Sequence, residues 1–324
     1  MSRKHILIIG IGILVLLMLP FIGIIRIDFN SLFKGSQSSF IFWQLRLPRT
    51  ILGFMAGSSL ALAGLIFQNI FKNSLATPYT LGVSTGASAG MVLGIKLNLS
   101  LTFLGLNGLY LYGFAGALLS IFLIMGIARV VKSFSIYTLL MAGVAINFFF
   151  SACIVIIQYM FDFTQTIAIL RWLMGGINPT GYKDLLFLLP TYIFFITLTF
   201  FLKNELIIAS AGEDFAYAKG LDLKRFRIII FIIVSLVMGI LVSFVGPIGF
   251  VGLIVPHIAR LIFPHDFKAV IVATIIMGGL LLSFTDFLAR ILIPPAEIPV
   301  GIITSLIGAP FFIFVLISTL KQKT

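Results

Sequence analysis

The sequence predicts an all-α membrane protein, a polytopic bundle of about ten transmembrane helices with short cytoplasmic helices between them. Three observations carry this. Apolar residues make up 60% of the 324 positions and charged residues only 10%, with a mean hydropathy of +1.19, far above a soluble composition. The apolar residues fall in runs of membrane length, separated by short polar segments. No polar stretch is long enough to build a soluble core of its own, so residues 1–324 read as a single transmembrane domain.

Taken in order, the expected spans are Ile6–Ile25, Thr50–Phe71, Tyr79–Ile95, Leu101–Ala128, Ser135–Met160, Leu185–Leu202, Phe226–Val245, Phe250–Phe263, Ala269–Ile293 and Ile298–Leu320. The first contains Pro20 and lacks a small-residue cleavage site, so it reads as an uncleaved span rather than a signal peptide. The eighth is short and hemmed by Gly246, Pro247, Gly249 and Pro264, the pattern of a broken or tilted helix.

The net charge of +12 belongs to this topology rather than to nucleic-acid binding, because Lys and Arg in short loops orient membrane helices. With both termini inside, 14 of the 22 basic residues fall on the cytoplasmic side and 8 on the outer side. Arg46, Arg49 and Arg290 are among the 8 and run against the bias. Arg46 and Arg49 share a helix face at i, i+3. Snorkelling onto lipid phosphates and docking of acidic groups on an extracytoplasmic partner both account for them. Asp286 stands four residues before Arg290, the favourable order for a helical ion pair.

Small residues punctuate several spans. Gly53, Gly57 and Gly64 lie near one face, and Gly82, Gly86 and Gly90 recur every four residues, both patterns for close helix approach. Gly143 and Asn147 bring the same character to the fifth span, where Asn147 serves either as an interhelical hydrogen-bonding group or as a path-lining one. His257 has no second His, Cys or carboxylate at ligand spacing and reads as structural. The lone Cys153 excludes a disulfide framework within the chain.

The longest charged interruption is Lys203 to Arg227, KNELIIASAGEDFAYAKGLDLKRFR. Gly212 can start a helix with Glu213 and Asp214 in its first turn, where carboxylates meet the positive end of the dipole. Lys219 and Gly220 supply its stop, and Asp222 caps a second helix running into the next span. Ala211, Phe215 and Ala218 are expected on one face, with Phe215 as an aromatic knob. A compact element of this kind suits presentation to a soluble partner; an ordinary basic anchoring loop is the alternative.

No catalytic set, metal cluster or cofactor motif is recognisable: there is no Ser/His/Asp arrangement, no HExxH and no glycine loop before a Lys. All ten acids fall in loops or near span ends. That argues against an ion-coupled secondary transporter, which buries titratable groups at mid-membrane.

Four motifs then converge. LRLPRT from Leu45 with KNSLATP and LGVSTGA downstream, GEDFAYAKGLDLKRFR from Gly212, GPIGFVGLIVPHIARL from Gly246, and AEIPVGI with IGAPFF from Ala296 resemble, in order and spacing, the permeases that import iron-siderophores and vitamin B12. The resemblance runs from about Phe42 to Leu320, departs from the family at Ser74, where a proline is usual, and is silent over Asn98–Tyr112 and Asp162–Lys183.

The resemblance implies an ATP-binding-cassette importer subunit for a metal chelate such as a ferric siderophore, haem or cobalamin. It implies as partners cytoplasmic ATPase subunits, an extracytoplasmic substrate-binding protein and a second permease subunit, identical or related. ATP hydrolysis would belong to the separate ATPase. Gly212, Glu213, Asp214, Phe215, Ala218 and Gly220 would couple to that ATPase. Arg46, Arg49 and Arg290 would dock the binding protein. Ser135, Ile136 and Tyr137 would form the cytoplasmic gate of a path lined by the fifth span, with Gly143 and Asn147 along it.

Overall fold

The computed structural model describes residues 37–97, 102–103, 106–178 and 181–321, together with 10, 12, 14–23, 27 and 32. Among the described residues the regular elements are helices apart from one two-residue antiparallel pair, and we number them accordingly. The helices are α1 (Gln37–Phe71), α2 (Val83–Leu97), α3 (Leu109–Val130), α4 (Ile136–Gln158), α5 (Phe163–Leu173), α6 (Lys183–Phe201), α7 (Lys203–Ala211), α8 (Glu213–Ala218), α9 (Leu223–Val245), α10 (Val251–Ile262), α11 (Phe267–Ile291) and α12 (Val300–Lys321). The pair is β1 (Thr102–Phe103) with β2 (Leu106–Asn107). Among the described residues six helices, α1, α3, α4, α6, α9 and α11, are long and apolar enough to cross a membrane. Part of the expected first span, Ile6–Ile25, lies outside the described residues; Leu14–Met18 within it are helical.

Several boundaries differ from the sequence expectation for identifiable reasons. The span expected from Thr50 begins thirteen residues earlier, at Gln37, and passes through Pro48. A π-helical turn at Ile41–Arg46 precedes the proline, and the Leu47 N–H donates five residues back to the Phe42 carbonyl. The wider turn accommodates a residue that lacks an N–H and would clash with an ordinary α turn.

The span expected from Tyr79 starts instead at Val83. The Thr77 and Thr80 hydroxyls hydrogen-bond the local backbone, and Gly82 follows at φ +84°, so the segment closes as a turn. Thr102–Phe103 and Leu106–Asn107 form the short β pair rather than the first turns of α3, which starts beyond Gly108. Helix α5 was not expected. Its cap is plain in retrospect, since the Asp162 side chain accepts from the Gln165 N–H.

The chain forms two compact units. The first comprises Met1–Leu62, Gly175–Tyr192 and Ile248–Thr324, and so contains α10, α11, α12 and the leading parts of α1 and α6. Its interior is held by glycine contacts. A Cβ on Gly57 would lie 2.2 Å from the Gly278 carbonyl oxygen, and one on Gly279 would lie 2.3 Å from the Phe54 ring, so α1 and α11 touch backbone to backbone. Short α10 carries Pro256, and Phe250 before it takes φ +67° with its ring against Gly308. His257 lies edge-on to the Phe311 ring.

The second unit comprises Ala63–Met174 and Ile193–Pro247. Here α2 packs on α3, α4 and α9. Gly86 and Gly90 make the close approach their spacing predicted, Gly86 meeting the Gly116 backbone and Gly90 the Tyr112 carbonyl, while Gly82 lies before the helix in the turn.

Candidate docking and coupling sites

In the first unit, α1 brings Arg46 and Arg49, α11 brings Asp286 and Arg290, and the segment before α12 brings Glu297. The Arg49 guanidinium meets Asp286 through Nε and Nη2, each at 3.0 Å, and Glu297 Oε2 through Nη1 at 3.0 Å. Arg290 Nε approaches Asp286 Oδ2, which Arg49 Nε also reaches, at 3.4 Å, the i, i+4 pair anticipated from sequence. Asp286 is 1% exposed. A carboxylate that buried survives as a charge only when well compensated, and two guanidiniums supply that compensation.

Arg46 is buried and donates through Nη1 to the carbonyls of Pro20 and Phe21 at 3.3 and 3.4 Å. All three arginines line one cleft of about 370 Å³, with Asn178 and Glu297 also on its wall. The sequence paired Arg46 with Arg49; it did not show that Asp286 belongs chiefly to Arg49. The signal was there in principle, since an acid within an apolar run requires a partner.

In the second unit, the Lys203–Arg227 stretch folds as three consecutive helical pieces, α7, α8 and the start of α9. Gly212, at φ +127°, makes the break before α8. The stop after α8 is a Schellman closure. The Gly220 N–H donates to Tyr217, the Leu221 N–H donates to Ala216, and Gly220 has φ +74°. Asp222 caps α9 by accepting from the Arg225 N–H at 3.0 Å.

The expected face of Ala211, Phe215 and Ala218 needs correction. Ala211 ends α7 and is separated from the other two by the Gly212 break. The element instead packs through Ala209, Ala216 and Leu223, leaving Phe215 45% exposed and Ala218 exposed. Arg227 ties the assembly down: its Nη1 pairs with Glu213 at 2.9 Å, and its Nε donates to the Ile70 carbonyl at 3.0 Å. That carbonyl lies in the last turn of α1, where helix acceptors lack intrahelical partners.

Ser135 caps α4, accepting from the Thr138 N–H at 3.2 Å. Ile136 is the first residue of that helix, and Tyr137 follows, 76% exposed. This segment and the coupling stretch face each other across one cleft of about 940 Å³, lined by Ser133, Ser135, Tyr137, Tyr217, Lys224 and Arg227 among others. Lys224 Nζ lies 5.8 Å from the centre of the Phe134 ring, within cation–π reach. The sequence did not reveal this juxtaposition, because the two segments are far apart along the chain.

Farther along α4, Gly143 and Asn147 face neighbouring chain rather than the helix's open side. A Cβ on Gly143 would fall 2.8 Å from the Leu81 Cα, and Asn147 hydrogen-bonds Thr85 and the Thr80 carbonyl. Tyr137, Met141, Val144 and Phe148, spaced four, three and four residues apart, form the open side.

Apolar spanning helices, a folded polar element between two of them and an arginine-rich cleft define the class: an integral membrane transport subunit. The chain belongs to the FecCD transport family, whose pattern matches residues 7–318. It is 35% identical over 277 residues to an iron(3+)-hydroxamate import system permease of Bacillus subtilis, covering 85% of this chain and 70% of that one. It is 36% identical over 272 residues to a cobalamin import system permease of Halobacterium salinarum, covering 84% of this chain and 72% of that one. Among solved structures, a metal-chelate type ABC transporter in an inward-facing conformation superposes with a TM-score of 0.85 at 26% identity, over 98% of this chain and 99% of that one. The protein is a multi-pass membrane permease subunit of an ATP-binding-cassette importer, with a transport rather than an enzymatic role.

Proposed function

We propose that this permease carries a metal chelate, such as a ferric siderophore, haem or cobalamin, from an extracytoplasmic binding protein into the cytoplasm. The names of its relatives support that cargo class. In this reading residues 1–324 act as one permease of ten spans with both termini cytoplasmic, the topology that places most of its Lys and Arg inside. It pairs with a second permease subunit and with two ATPase subunits.

The observation that carries the reading is the construction of the Gly212–Arg227 element. Set off by the Gly212 break, closed by the Gly220 turn and anchored through Ala216 and Arg227, it projects Phe215 into solvent. An aromatic side chain held out on a rigid mount suits an interface anchor. Gly212, Glu213, Asp214, Phe215, Ala218 and Gly220 form the ATPase-facing surface. Motion imposed there passes to Ser135, Ile136 and Tyr137 through the shared cleft, and so to the gate. Gly143 and Asn147 seat α4 against its neighbours, leaving the Tyr137–Phe148 side for the path. Arg46, Arg49 and Arg290 receive acidic groups of the binding protein; their convergence on one cleft favours this over three separate lipid anchors.

The test is ATP hydrolysis by the permease reconstituted with its ATPase, with and without binding protein. Phe215→Asp is expected to lose ATPase association. Arg46→Glu and Arg290→Glu are expected to keep assembly but lose stimulation by the binding protein. Normal coupling by the Phe215 variant overturns the coupling assignment.

A further inference from the structure

We propose that Glu297 is an intramolecular stand-in for the docking partner's carboxylate: it holds Arg49 in the unengaged permease and yields it when the binding protein arrives. The inference rests on the docking role assigned above to the arginine cleft.

The two carboxylates on Arg49 are not equivalent. Asp286 is 1% exposed, engages two nitrogens of Arg49 and also meets Arg290. Removing it from Arg49 would leave a buried charge with only the longer Arg290 contact, so this pairing is the persistent one. Glu297 has a half-exposed side chain and touches Nη1 alone. It belongs to the non-helical segment between α11 and α12, so its release disturbs no helix. Water rehydrates it on release, and exposed pairs of this kind are weak.

The geometry also leaves room for the exchange. Glu297 lies on the wall of the 370 Å³ cleft that Arg46, Arg49 and Arg290 line. With both acids in place, the three arginines and two carboxylates carry a net charge of +1; displacing Glu297 from Arg49 uncovers one more positive charge towards the incoming group. Such an arrangement favours a partner that brings a carboxylate together with a complementary surface. An isolated small anion gains too little to displace the resident acid.

The experiment measures affinity by interferometry between the permease in zwitterionic nanodiscs and the binding protein that stimulates ATP hydrolysis in the assay above. Glu297→Gln, which keeps the shape and removes the charge, is expected to bind about threefold tighter, within the range a half-exposed ion pair permits. The same variant should be inhibited by free polyglutamate at lower concentration than the parent, because the arginine is no longer screened. Glu297→Asp, which retains the charge on a shorter side chain, should fall between the two, and unfolding temperatures check that all variants are folded. Unchanged or weaker binding by Glu297→Gln, while Arg290→Glu abolishes binding, overturns the stand-in role alone. Parent-like binding by both Arg49→Glu and Arg290→Glu overturns the docking role and the inference with it.

Discussion

Arg49 clasps Asp286 across 237 positions of sequence, Nε and Nη2 each 3.0 Å from a carboxylate that is 1% exposed. The contact joins α1 to α11 where their glycines already bring the backbones together. It therefore bears on stability as well as on docking. Arg49→Gln should lower the unfolding temperature in detergent. Losing every partner of a buried charge costs about 3–5 kcal/mol, and because Arg290 remains, the loss should be smaller. Arg49→Gln with Arg290→Gln should be worse than either, and adding Asp286→Asn should recover much of the deficit. A double variant as stable as the parent would show that Asp286 does not depend on these partners.

Two glycine substitutions should have opposite signs. Gly57→Ala places a Cβ 2.2 Å from the Gly278 oxygen, which is backbone and cannot turn away. Overpacking of that kind costs about 1–3 kcal/mol and outweighs the roughly 1 kcal/mol that alanine contributes to helix propensity. Gly126 in α3 meets nothing within 4 Å, so Gly126→Ala keeps only the gain, about 0.5–1 kcal/mol. Thermal unfolding of both variants decides this, and a stable Gly57 variant would mean the α1–α11 contact is looser than described.

Phe215→Asp and Ala216→Asp differ by one position and should fail in different ways. Phe215 is 45% exposed and Ala216 fully buried. The first should leave the thermal stability of the isolated permease within about 0.5 kcal/mol while ATPase co-purification is lost. The second inserts a charge among Ala209 and Leu223 and should destabilise the coupling element itself, seen as faster proteolysis at Lys203–Arg227. Equal proteolysis of the two would contradict the packing described.

Arg227→Gln removes the tie between Glu213 and the Ile70 carbonyl while leaving Phe215 exposed. ATPase binding should persist while transport per ATP hydrolysed falls by roughly the tenfold that 1.4 kcal/mol of lost coupling represents. A parallel fall in ATPase binding would mean that Arg227 acts only by holding the docking surface in shape.

The helices were largely legible in the sequence, because each span announces itself by a run of apolar residues that lipid or protein must surround. The caps were legible too: Asp222 and Gly220 stand where local backbone geometry alone places them. The boundaries at Gln37, Val83 and Leu109 were not. There a π turn, a pair of threonine hydroxyls and a short β pair compete with helix, and the competition is settled by hydrogen bonds that hydropathy does not register.

The candidate sites divide along the same line. Local chemistry, read from neighbouring residues, placed Phe215, the Gly212 helix start, the Asp222 cap and the Asp286–Arg290 pair. Contacts between segments remote in sequence came only from the tertiary structure: Arg49 with Asp286, Arg227 with Ile70, Lys224 with Phe134, and Gly143 turned towards Leu81. What composition and local pattern by themselves determined was a polytopic helical membrane protein with a folded polar element; that it is a permease followed from the motifs that resemble a family. Apolar periodicity, capping and charge bias act within a few residues and need no partner. Which arginine neutralises the buried acid, and which face of α4 stays open, was decided by packing. Those outcomes depend on where other helices place their backbones, a distance in space that no spacing along the chain encodes.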